Sequence, residues 1–206
     1  MELNQALKEL KSQEERKFDQ TVDLIVNLKG LDFRKTNLSF IVNVPNKFKD
    51  KKVCAFLNEK NETIPTITKA EFAKYNTDKK SLKKLVKKYD FFIAHASLMP
   101  SIASTFGKVL GPSGKMPSPQ LGVIMKEGNE EIKNLVVKIA NSAKIRVKDG
   151  SIKIAVGKAS MADDKIAENI KSIYSGIVQA LPMKVDNVKN AMVKLTMTKP
   201  VEVQIK

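Results

Sequence analysis

Residues 21–28 read TVDLIVNL, and every second residue from position 22 onwards is apolar. That set consists of Val22, Leu24, Val26 and Leu28. Because successive side chains of a strand point to opposite faces, the stretch predicts a β-strand with one face in a core. A second alternating stretch, residues 38–44, follows the turn GLDFRKT (30–36), so we expect the two strands to pair as an antiparallel ribbon. A ribbon of two strands is not stable alone and needs partner strands from elsewhere.

Residues 150–206 offer those partners. The stretches SIKIAVG (151–157) and NAMVKLTMT (190–198) predict strands, and ADDKIAENIKSIYSGIVQAL (162–181) between them predicts an amphipathic helix with acids in its first turn. The chain also begins with a helix, whose apolar residues recur at helical spacing: Leu3, Ala6, Leu7 and Leu10. We therefore predict that residues 1–46 and 150–206 form one discontinuous α+β domain.

Residues 47–149 follow a different pattern. The short, continuously apolar runs VCAFL (53–57) and DFFIA (90–94) are typical of strands that are buried on both faces of a parallel sheet. Helical stretches alternate with them, and AKIRV (143–147) predicts a further strand. Alternating strands and helices favour an α/β layer. We predict that residues 47–149 form an inserted domain and that the two crossings of the chain act as a hinge.

The charge of the chain indicates a polyanionic partner. Lys and Arg number 37 against 22 Asp and Glu, which gives +15 and a pI near 9.7; such a balance favours RNA, DNA or anionic lipid. The net charge is 0 over residues 1–46, +11 over residues 47–149 and +4 over residues 150–206, so charge alone places the nucleic acid on the insert.

Membrane and secreted classes fit the sequence poorly. The mean hydropathy is −0.25 and no run approaches the roughly 20 apolar residues of a bilayer span. The N-terminal stretch has no apolar signal-peptide core. Cys54 is the only cysteine, which excludes an internal disulfide and makes the cytoplasm the natural compartment.

The loop GPSGKMPSP (111–119) raises the question of a phosphate cradle. A Walker A motif requires a glycine where this chain has Val109 and a Ser or Thr where it has Met116. The dinucleotide-binding fingerprint is also absent after the first parallel strand. A proline-stiffened turn is therefore favoured, and contact of Lys115 with a phosphate is the alternative.

Catalytic machinery is not visible in the sequence. His95 ends a predicted strand, but no nucleophile and acid can be assembled around it, so a polar residue at a strand end is the favoured interpretation. Cys54 lies within an apolar strand and is expected to be an inert core residue. The lysine-rich helix KKSLKKLVKKY (79–89) is expected to have a solvated basic face; phosphate tracking and, with less support, lipid binding are alternatives. We expect no enzyme activity, no cofactor and no metal.

Three stretches resemble one known family in order and spacing. They are KFDQTVDLIVNLKGLD (17–32), DFFIAHASLMPSIASTFGKVLGPSGKMPSP (90–119), and VGKASMADDKIAENI (156–170) together with NAMVKLTMTKP (190–200). They are similar to the universal large-subunit ribosomal protein L-one family, and the wording FFIAxxSLMP and GKMPxP is closer to its archaeal branch. The resemblance runs over roughly residues 6 to 200 of the chain.

The resemblance implies a fold of mixed α+β and α/β class with two domains. One is a discontinuous split β-α-β domain, ferredoxin-like or RRM-like, and the other is an inserted Rossmann-like three-layer α/β/α domain. It implies a structural constituent of the large subunit in the cytoplasmic ribosome, a monomer off the ribosome with no membrane partner. The partners implied are the stalk helices of large-subunit rRNA and the exit-site tRNA, whose release in the deacylated form the protein assists. In many members a similar structure in the protein's own messenger is also bound.

Carried over position by position, the resemblance also implies an RNA-binding site in the discontinuous domain. Its residues are Lys17, Phe18, Thr21, Asp23, Lys158, Ser160, Lys194, Thr196, Met197 and Thr198. Phe18 offers a face for base stacking and the hydroxyls reach sugar oxygens, while Asp23 accepts from a 2′-hydroxyl or a base amine, or orients Lys17. Without the resemblance, Phe18 is better interpreted as a core residue. The charge of the insert is then expected to attract RNA over long range, and the RNA-binding site in the discontinuous domain is expected to provide specific recognition.

Some positions depart from the family pattern. Ser113 stands where an arginine is usual, Thr198 replaces a glycine, and VPNKFKDKK (44–52) replaces a hinge that contains His-Gly. Two other functions remain open on the sequence: a messenger-binding translational repressor that acts off the ribosome, and a nucleotide-dependent enzyme that uses the inserted domain.

Overall fold

The computed structural model of the chain describes residues 1–12, 17–31, 38–61, 63–125, 128–147 and 149–205, except for the side chains of residues 76, 77 and 79. The predicted turn at 30–36 lies largely outside these ranges. The chain divides into two compact units. Met1–Lys49 and Asn141–Lys206 form the first, here called the terminal unit, and Asp50–Ala140 form the second, the insert unit.

The terminal unit contains two long helices and a four-stranded sheet. Its elements are α1 (Leu3–Lys11), β1 (Thr21–Leu28), β2 (Ser39–Asn43), β7 (Ser142–Arg146), β8 (Ser151–Lys158), α6 (Asp163–Ala180), a 3-10 turn (Lys184–Asn187), β9 (Val188–Leu195) and β10 (Val201–Val203). The elements α2 to α5 and β3 to β6 belong to the insert unit. The short strand β10, which extends the sheet beyond β9, was not predicted from the sequence.

The sheet has the strand order β10-β9-β1-β8, and all of its neighbours are antiparallel. Because β8 and β9 are each antiparallel to β1, they are parallel to each other, and α6 connects them across the strand that lies between. This is the split β-α-β arrangement, and the predicted fold class is confirmed for this unit. Both chain ends therefore supply strands to one sheet, as TVDLIVNL required.

One face of this sheet forms the core with the two helices. The alternate residues of β1 are buried, with Val22, Leu24 and Val26 fully inaccessible. They belong to one cluster with the apolar stripe of α1 and with a row of isoleucines on α6: Ile166, Ile170, Ile173 and Ile177. The predicted strand and both predicted helices are confirmed. Both helices pack on this core face, and the opposite face of the sheet is here called the open face.

The predicted ribbon of β1 with residues 38–44 is wrong. Strand β2 pairs with β7 instead, in a two-stranded antiparallel sheet that runs from the pair of Ser39 and Arg146 to the pair of Asn43 and Ser142. The physical reason is that β8 and β9 occupy the two edges of β1, so no hydrogen-bonding edge is left for β2. Strand β2 lies close to α6, where a Cβ atom on Gly176 would be 2.6 Å from Val42.

The structure also moves the boundaries between the two units. The sequence pattern predicts them at 46/47 and 149/150, whereas the structure has them at 49/50 and 140/141. The AKIRV strand, which was assigned to the insert, forms β7 of the terminal unit, because its hydrogen-bonding partner is β2.

This shift changes the distribution of charge. With the structure's boundaries, the terminal unit holds 21 basic and 13 acidic residues, net +8, and the insert unit holds 16 and 9, net +7. The charge count that favoured the insert is therefore wrong, since it had assigned to the insert two basic residues of 47–49 and, from 141–149, three basic residues and one acidic residue. Charge no longer favours one unit over the other.

The insert unit is a parallel α/β domain. Its elements are β3 (Val53–Leu57), β4 (Thr66–Thr68), a 3-10 turn (Lys69–Glu71), α2 (Phe72–Thr77), α3 (Lys79–Lys88), β5 (Phe91–His95), a 3-10 turn (Ala96–Leu98), α4 (Met99–Ser113), β6 (Val123–Ile124) and α5 (Asn129–Ala140). The sheet order is β4-β3-β5-β6, and every neighbouring pair is parallel. All five residues of β3 are buried, as expected for a strand covered on both faces. The predicted Rossmann-like class is confirmed.

The first residues of the GPSGKMPSP stretch form the C-terminal end of helix α4. Helix α4 continues to Ser113, and Gly114 ends it in the left-handed conformation with φ of 71°. The Lys115 Nζ donates to the carbonyls of Val86 and Tyr89, each at 2.7 Å, at the C-terminal end of α3. An ammonium group is favourable there because the end of a helix carries partial negative charge. The structural interpretation of the loop is confirmed.

Candidate nucleic-acid interface

Most of the predicted site residues meet at one end of the four-stranded sheet. Because β1 is antiparallel to β8 and β9, its N-terminal end lies beside their C-terminal ends. Three segments converge there: residues 17–20, residues 158–161, which begin with the last residue of β8, and residues 196–198. Together they are called the loop cluster. It contains Lys17, Phe18, Lys158, Ser160, Thr196, Met197 and Thr198. The other three predicted residues, Thr21, Asp23 and Lys194, lie in the adjoining strands.

Asp19 connects the first two loops and was missed by sequence reasoning. Its carboxylate accepts hydrogen bonds from the backbone N–H of Ser160 at 3.1 Å and from the Ser160 hydroxyl at 2.9 Å. The Lys158 Nζ lies 3.5 Å from the same carboxylate. The hydroxyl of Ser160 and then its N–H and the charge of Lys158 lower the pKa of Asp19 below its usual value. Asp19 thereby fixes the positions of two predicted contact residues.

Gln20 connects the first loop to both of the others and was also missed. Its Oε1 accepts from the backbone N–H of Met197 at 3.1 Å, and its carbonyl accepts from the N–H of Ala159 at 2.7 Å. The residue is buried, with 7% of its surface exposed. The only sequence signal at this position is a polar residue directly before an alternating strand, which does not distinguish a buried glutamine from an exposed one.

The threonine hydroxyls serve to shape the cluster. The N–H of Thr21 donates to the Thr196 Oγ1 at 3.0 Å, which ties the last loop to the start of β1. The Thr198 Oγ1 accepts from the N–H of Leu195 at 2.9 Å, and the N–H of Thr198 donates to the carbonyl of Leu195 at 3.2 Å. Where the family usually has a glycine, Thr198 thus closes a turn with its side chain. Contact of these hydroxyls with RNA stays a prediction.

Large apolar side chains of the cluster are exposed to solvent. Phe18 is 52% exposed and Met197 is 61% exposed, so the interpretation of Phe18 as a core residue is wrong. The neighbouring Lys17 and Lys158 are exposed as well. Exposed aromatic and thioether groups beside ammonium groups are suited to a partner with flat apolar rings and negative charge.

Asp23 and Lys194 lie opposite each other on β1 and β9. Burial raises the pKa of the Asp23 carboxyl, and the charge of Lys194 opposes this shift without cancelling it. The sequence hypothesis paired Asp23 with Lys17, whereas the structure gives it Lys194 as its cross-strand neighbour. Asp23 belongs to the sheet face rather than to the loop cluster.

The candidates for catalysis have ordinary structural roles. His95 has both ring nitrogens in hydrogen bonds, to the Ser97 hydroxyl at 2.7 Å and to the Met125 carbonyl at 2.9 Å. Cys54 is buried in β3, and burial raises the pKa of its thiol to about 12. Over the ranges that the structure describes, no group of three or more His, Cys, Asp or Glu side chains is arranged to hold a metal ion. Among those same residues, no helix has the length and apolar character needed to cross a membrane.

A discontinuous split β-α-β unit with an inserted Rossmann-like unit defines the class of two-domain protein to which this chain belongs. The particular family follows from comparison with known sequences: residues 10–199 match the ribosomal protein L1p/L10e family, and the chain belongs to it. It is therefore a ribosomal protein of the cytoplasmic ribosome and not an enzyme.

Several archaeal proteins are similar to the chain over nearly its whole length. The large ribosomal subunit protein uL1 of Thermoplasma volcanium is 35% identical over 93% of this chain and 90% of its own length. The proteins of the same name from Methanothermococcus thermolithotrophicus and Pyrococcus abyssi are each 32% identical over 97% of this chain, and 96% and 94% of their own lengths are covered. The predicted archaeal type of the family is confirmed.

Proposed function

We propose that the chain, as a structural protein of the large ribosomal subunit, binds the stalk region of large-subunit rRNA through the loop cluster. The observation that supports this most directly is the convergence of three loops, fixed by Asp19 and Gln20, that expose Phe18 and Met197 beside two lysines. The loops need no further ordering to present these groups together, so less conformational entropy is lost on binding.

The chemistry of the cluster suits folded RNA. Sequence-specific RNA recognition relies on unstacked bases, 2′-hydroxyls and shape, and an exposed aromatic ring provides a stacking surface. Phosphate attraction comes from the net charge of +8 on the terminal unit itself. The insert unit is therefore not needed to explain why an anion approaches the site. This replaces the expectation from the sequence that the insert attracts the RNA and the discontinuous domain recognises it.

The test is binding of the full chain to a transcript of the large-subunit stalk region. Phe18→Ala and Met197→Ala are compared with Met183→Ala, which removes a methionine of nearly the same exposure (60% against 61%) from another part of the terminal unit. Loss of one stacking contact is worth about 1–3 kcal/mol, so we expect affinity to fall by about 5- to 150-fold for Phe18→Ala. The affinity of Met197→Ala for the transcript should also fall, and Met183→Ala should bind like the wild type.

Two results would contradict this proposal. One is an equal loss for Met197→Ala and Met183→Ala, which would mean that the cluster has no special part in binding. The other is equal affinity of the wild type for the stalk transcript and for a scrambled transcript of the same length, which would reduce the interaction to general electrostatics.

We propose further that the protein assists release of deacylated tRNA from the exit site. This part depends on the family resemblance and on movement of the insert unit at the two chain crossings, 49/50 and 140/141, while the terminal unit stays bound. The test is the rate of tRNA release from ribosomes that lack the protein, before and after the wild-type chain is added back. An unchanged rate on addition would exclude the role.

Binding of the protein's own messenger is a second role that the same surface can perform. An RNA that mimics the stalk structure would occupy the same loop cluster, so the two RNAs must compete. We expect Phe18→Ala to weaken both, and a messenger that binds together with the stalk transcript would show that the two sites differ.

A further inference from the structure

A cleft of about 350 Å³ opens between β7 and β8 in the terminal unit, away from the loop cluster. Three cationic side chains, one carboxylate and one hydroxyl are among its lining groups: Lys144, Arg146, Lys153, Asp149 and Ser151. Formal charges in the lining therefore sum to +2. The first two cations lie in the segment that the sequence boundaries had placed in the insert.

The cations of β7 face away from the core. The residues that alternate with them, Ile145 and Val147, are each 3% exposed and belong to the core cluster. Since alternate residues of a strand share a face, Lys144 and Arg146 lie together on the outer side, roughly 7 Å apart along the strand. Burial, and then the charge of Arg146, lowers the pKa of Lys144.

Strand β8 leads from the cleft to the loop cluster. Lys153 lies opposite Ile25 of β1, on the open face, because Ile25 alternates with the buried residues of that strand. Simple alternation would place Lys158 on the opposite, core face from Lys153. However, β8 has a bulge, because Val22 pairs with Gly157 while Asp23 pairs with Ala155. The extra residue brings Lys158 back to the face of Lys153, so both lysine side chains lie on the same face of the sheet.

We propose that this cleft is a second RNA-contact site, which holds the phosphodiester backbone of an RNA segment that continues from the loop cluster across the open face of the sheet. The proposal rests on the proposed RNA-binding function and names the part of the surface that a bound RNA follows. The distance along β8 from Lys153 to Lys158 is about 17 Å, which a folded RNA spans easily. Cations without an aromatic neighbour in the lining contact backbone rather than bases, so the cleft contributes affinity and register more than sequence preference.

The first experiment neutralises the cleft and compares it with an equal change of charge on the helical side. The cleft variant carries Lys144→Gln, Arg146→Gln and Lys153→Gln, and the control carries Lys8→Gln, Lys165→Gln and Lys171→Gln at exposed positions of α1 and α6. Affinity of the full chain for the stalk transcript and for poly(U) is measured over a series of salt concentrations, after thermal melting has shown that both variants are folded.

Each phosphate contact contributes about 0.7–0.9 to the slope of log affinity against log salt. We expect the cleft variant to lose about 2 from that slope and the control to lose well under 1. The ratio of affinities for the stalk transcript and poly(U) should stay as in the wild type. Equal slopes for the cleft variant and the control would overturn the proposal, as would loss of the preference for the stalk transcript in the cleft variant alone.

The second experiment locates the RNA directly. Because Cys54 is buried and its thiol has a pKa of about 12, a cysteine introduced at the surface is labelled selectively. A photo-crosslinker is attached at Ser151→Cys in the cleft or at Ser175→Cys on the exposed side of α6. We expect crosslinks to RNA from the first position and few from the second, and the reverse result would overturn the proposal.

The two proposals fail in different ways. If Phe18→Ala leaves binding of the stalk transcript unchanged but the cleft variant lowers the salt slope on poly(U), the loop-cluster assignment is wrong and the cleft stands. If Phe18→Ala abolishes the preference for the stalk transcript while the cleft variant behaves like its control, the cleft assignment is wrong and the proposed function stands.

Discussion

Asn169 on α6 is expected to be one of the most important polar residues for the stability of the terminal unit. It is fully buried, and its amide makes three hydrogen bonds. The Oδ1 accepts from the N–H of Asn46 at 2.9 Å, and the Nδ2 donates to the carbonyls of Asn46 and Val156 at 2.9 Å and 2.8 Å. The amide thus holds the chain that leaves β2 against both α6 and β8.

Asn169→Ala removes all three bonds and leaves three backbone groups without this partner. At a net contribution of about 0.5–1.5 kcal/mol for each bond, the free energy of unfolding should fall by about 3 kcal/mol. The matched control is Asn190→Ala, which removes one bond of 2.7 Å to Asn27 on the open face of the sheet and should cost no more than about 1 kcal/mol.

Asn169→Asp tests the donor function of this side chain separately from its acceptor function. An ionised carboxylate would face the carbonyls of Asn46 and Val156, whereas the protonated form still donates to one of them. Burial raises the pKa of the introduced carboxyl in the folded state above its unfolded value of about 3.9. The unfolded state then releases its proton first, so the variant should lose stability, relative to the wild type, as pH rises above about 4.

Urea unfolding followed by circular dichroism measures the stability, and labelling of Cys54 reports on the insert unit alone. We expect Asn169→Ala to lower the midpoint of the terminal unit without faster labelling of Cys54. A loss for Asn169→Ala no larger than that for Asn190→Ala would refute the reasoning, because it would show that water or a rearranged backbone replaces all three bonds at little cost.

Three further outcomes are expected. Lys115→Met should lower the unfolding free energy of the insert unit by about 1–3 kcal/mol, because two carbonyls at the end of α3 lose their donor, and Cys54 should then be labelled faster in dilute urea. Gly176→Ala should destabilise the terminal unit by about 1–3 kcal/mol in thermal melting, since its Cβ would lie 2.6 Å from Val42, and an unchanged melting temperature would show that β2 shifts freely. A serine hydroxyl holds the pKa of Asp19 below 3.8, so its stabilising effect is present at neutral pH and lost as pH falls below that value. Melting temperatures measured towards about pH 2 should therefore fall less steeply for Asp19→Asn than for the wild type.

The sequence predicted the elements of this fold better than their pairing. Alternation in β1 and continuous apolarity in β3 follow directly from which faces are buried, and both appear in the structure as predicted. The partner of β2 was predicted wrongly because alternation says which face of a strand is buried and nothing about which edge is free. Proximity in the chain favoured β1, but two strands distant in sequence had already filled its edges.

Part of the candidate site could be predicted before the structure was known, and part could not, because local sequence does not show which distant residues come into contact. Family resemblance placed Phe18 and Met197 in it, and the structure adds only that both are exposed. Asp19 and Gln20 act through contacts with residues 139 or more positions away in the chain, such as the bonds to Ser160 and Met197. Local sequence carries no trace of such contacts.

The split β-α-β topology explains why an insertion of this size is compatible with a preorganised loop cluster. The chain that leads to the insert unit leaves β1 at Leu28 and returns into β8 at Ser151, where the N–H of Leu28 donates to the carbonyl of Gly150 at 2.8 Å. The loop cluster lies at the opposite end of the same two strands, and its own connections run entirely within the terminal unit. The connections of the loop cluster therefore do not pass through the insert unit, and the geometry that Asp19 and Gln20 impose is set within the terminal unit.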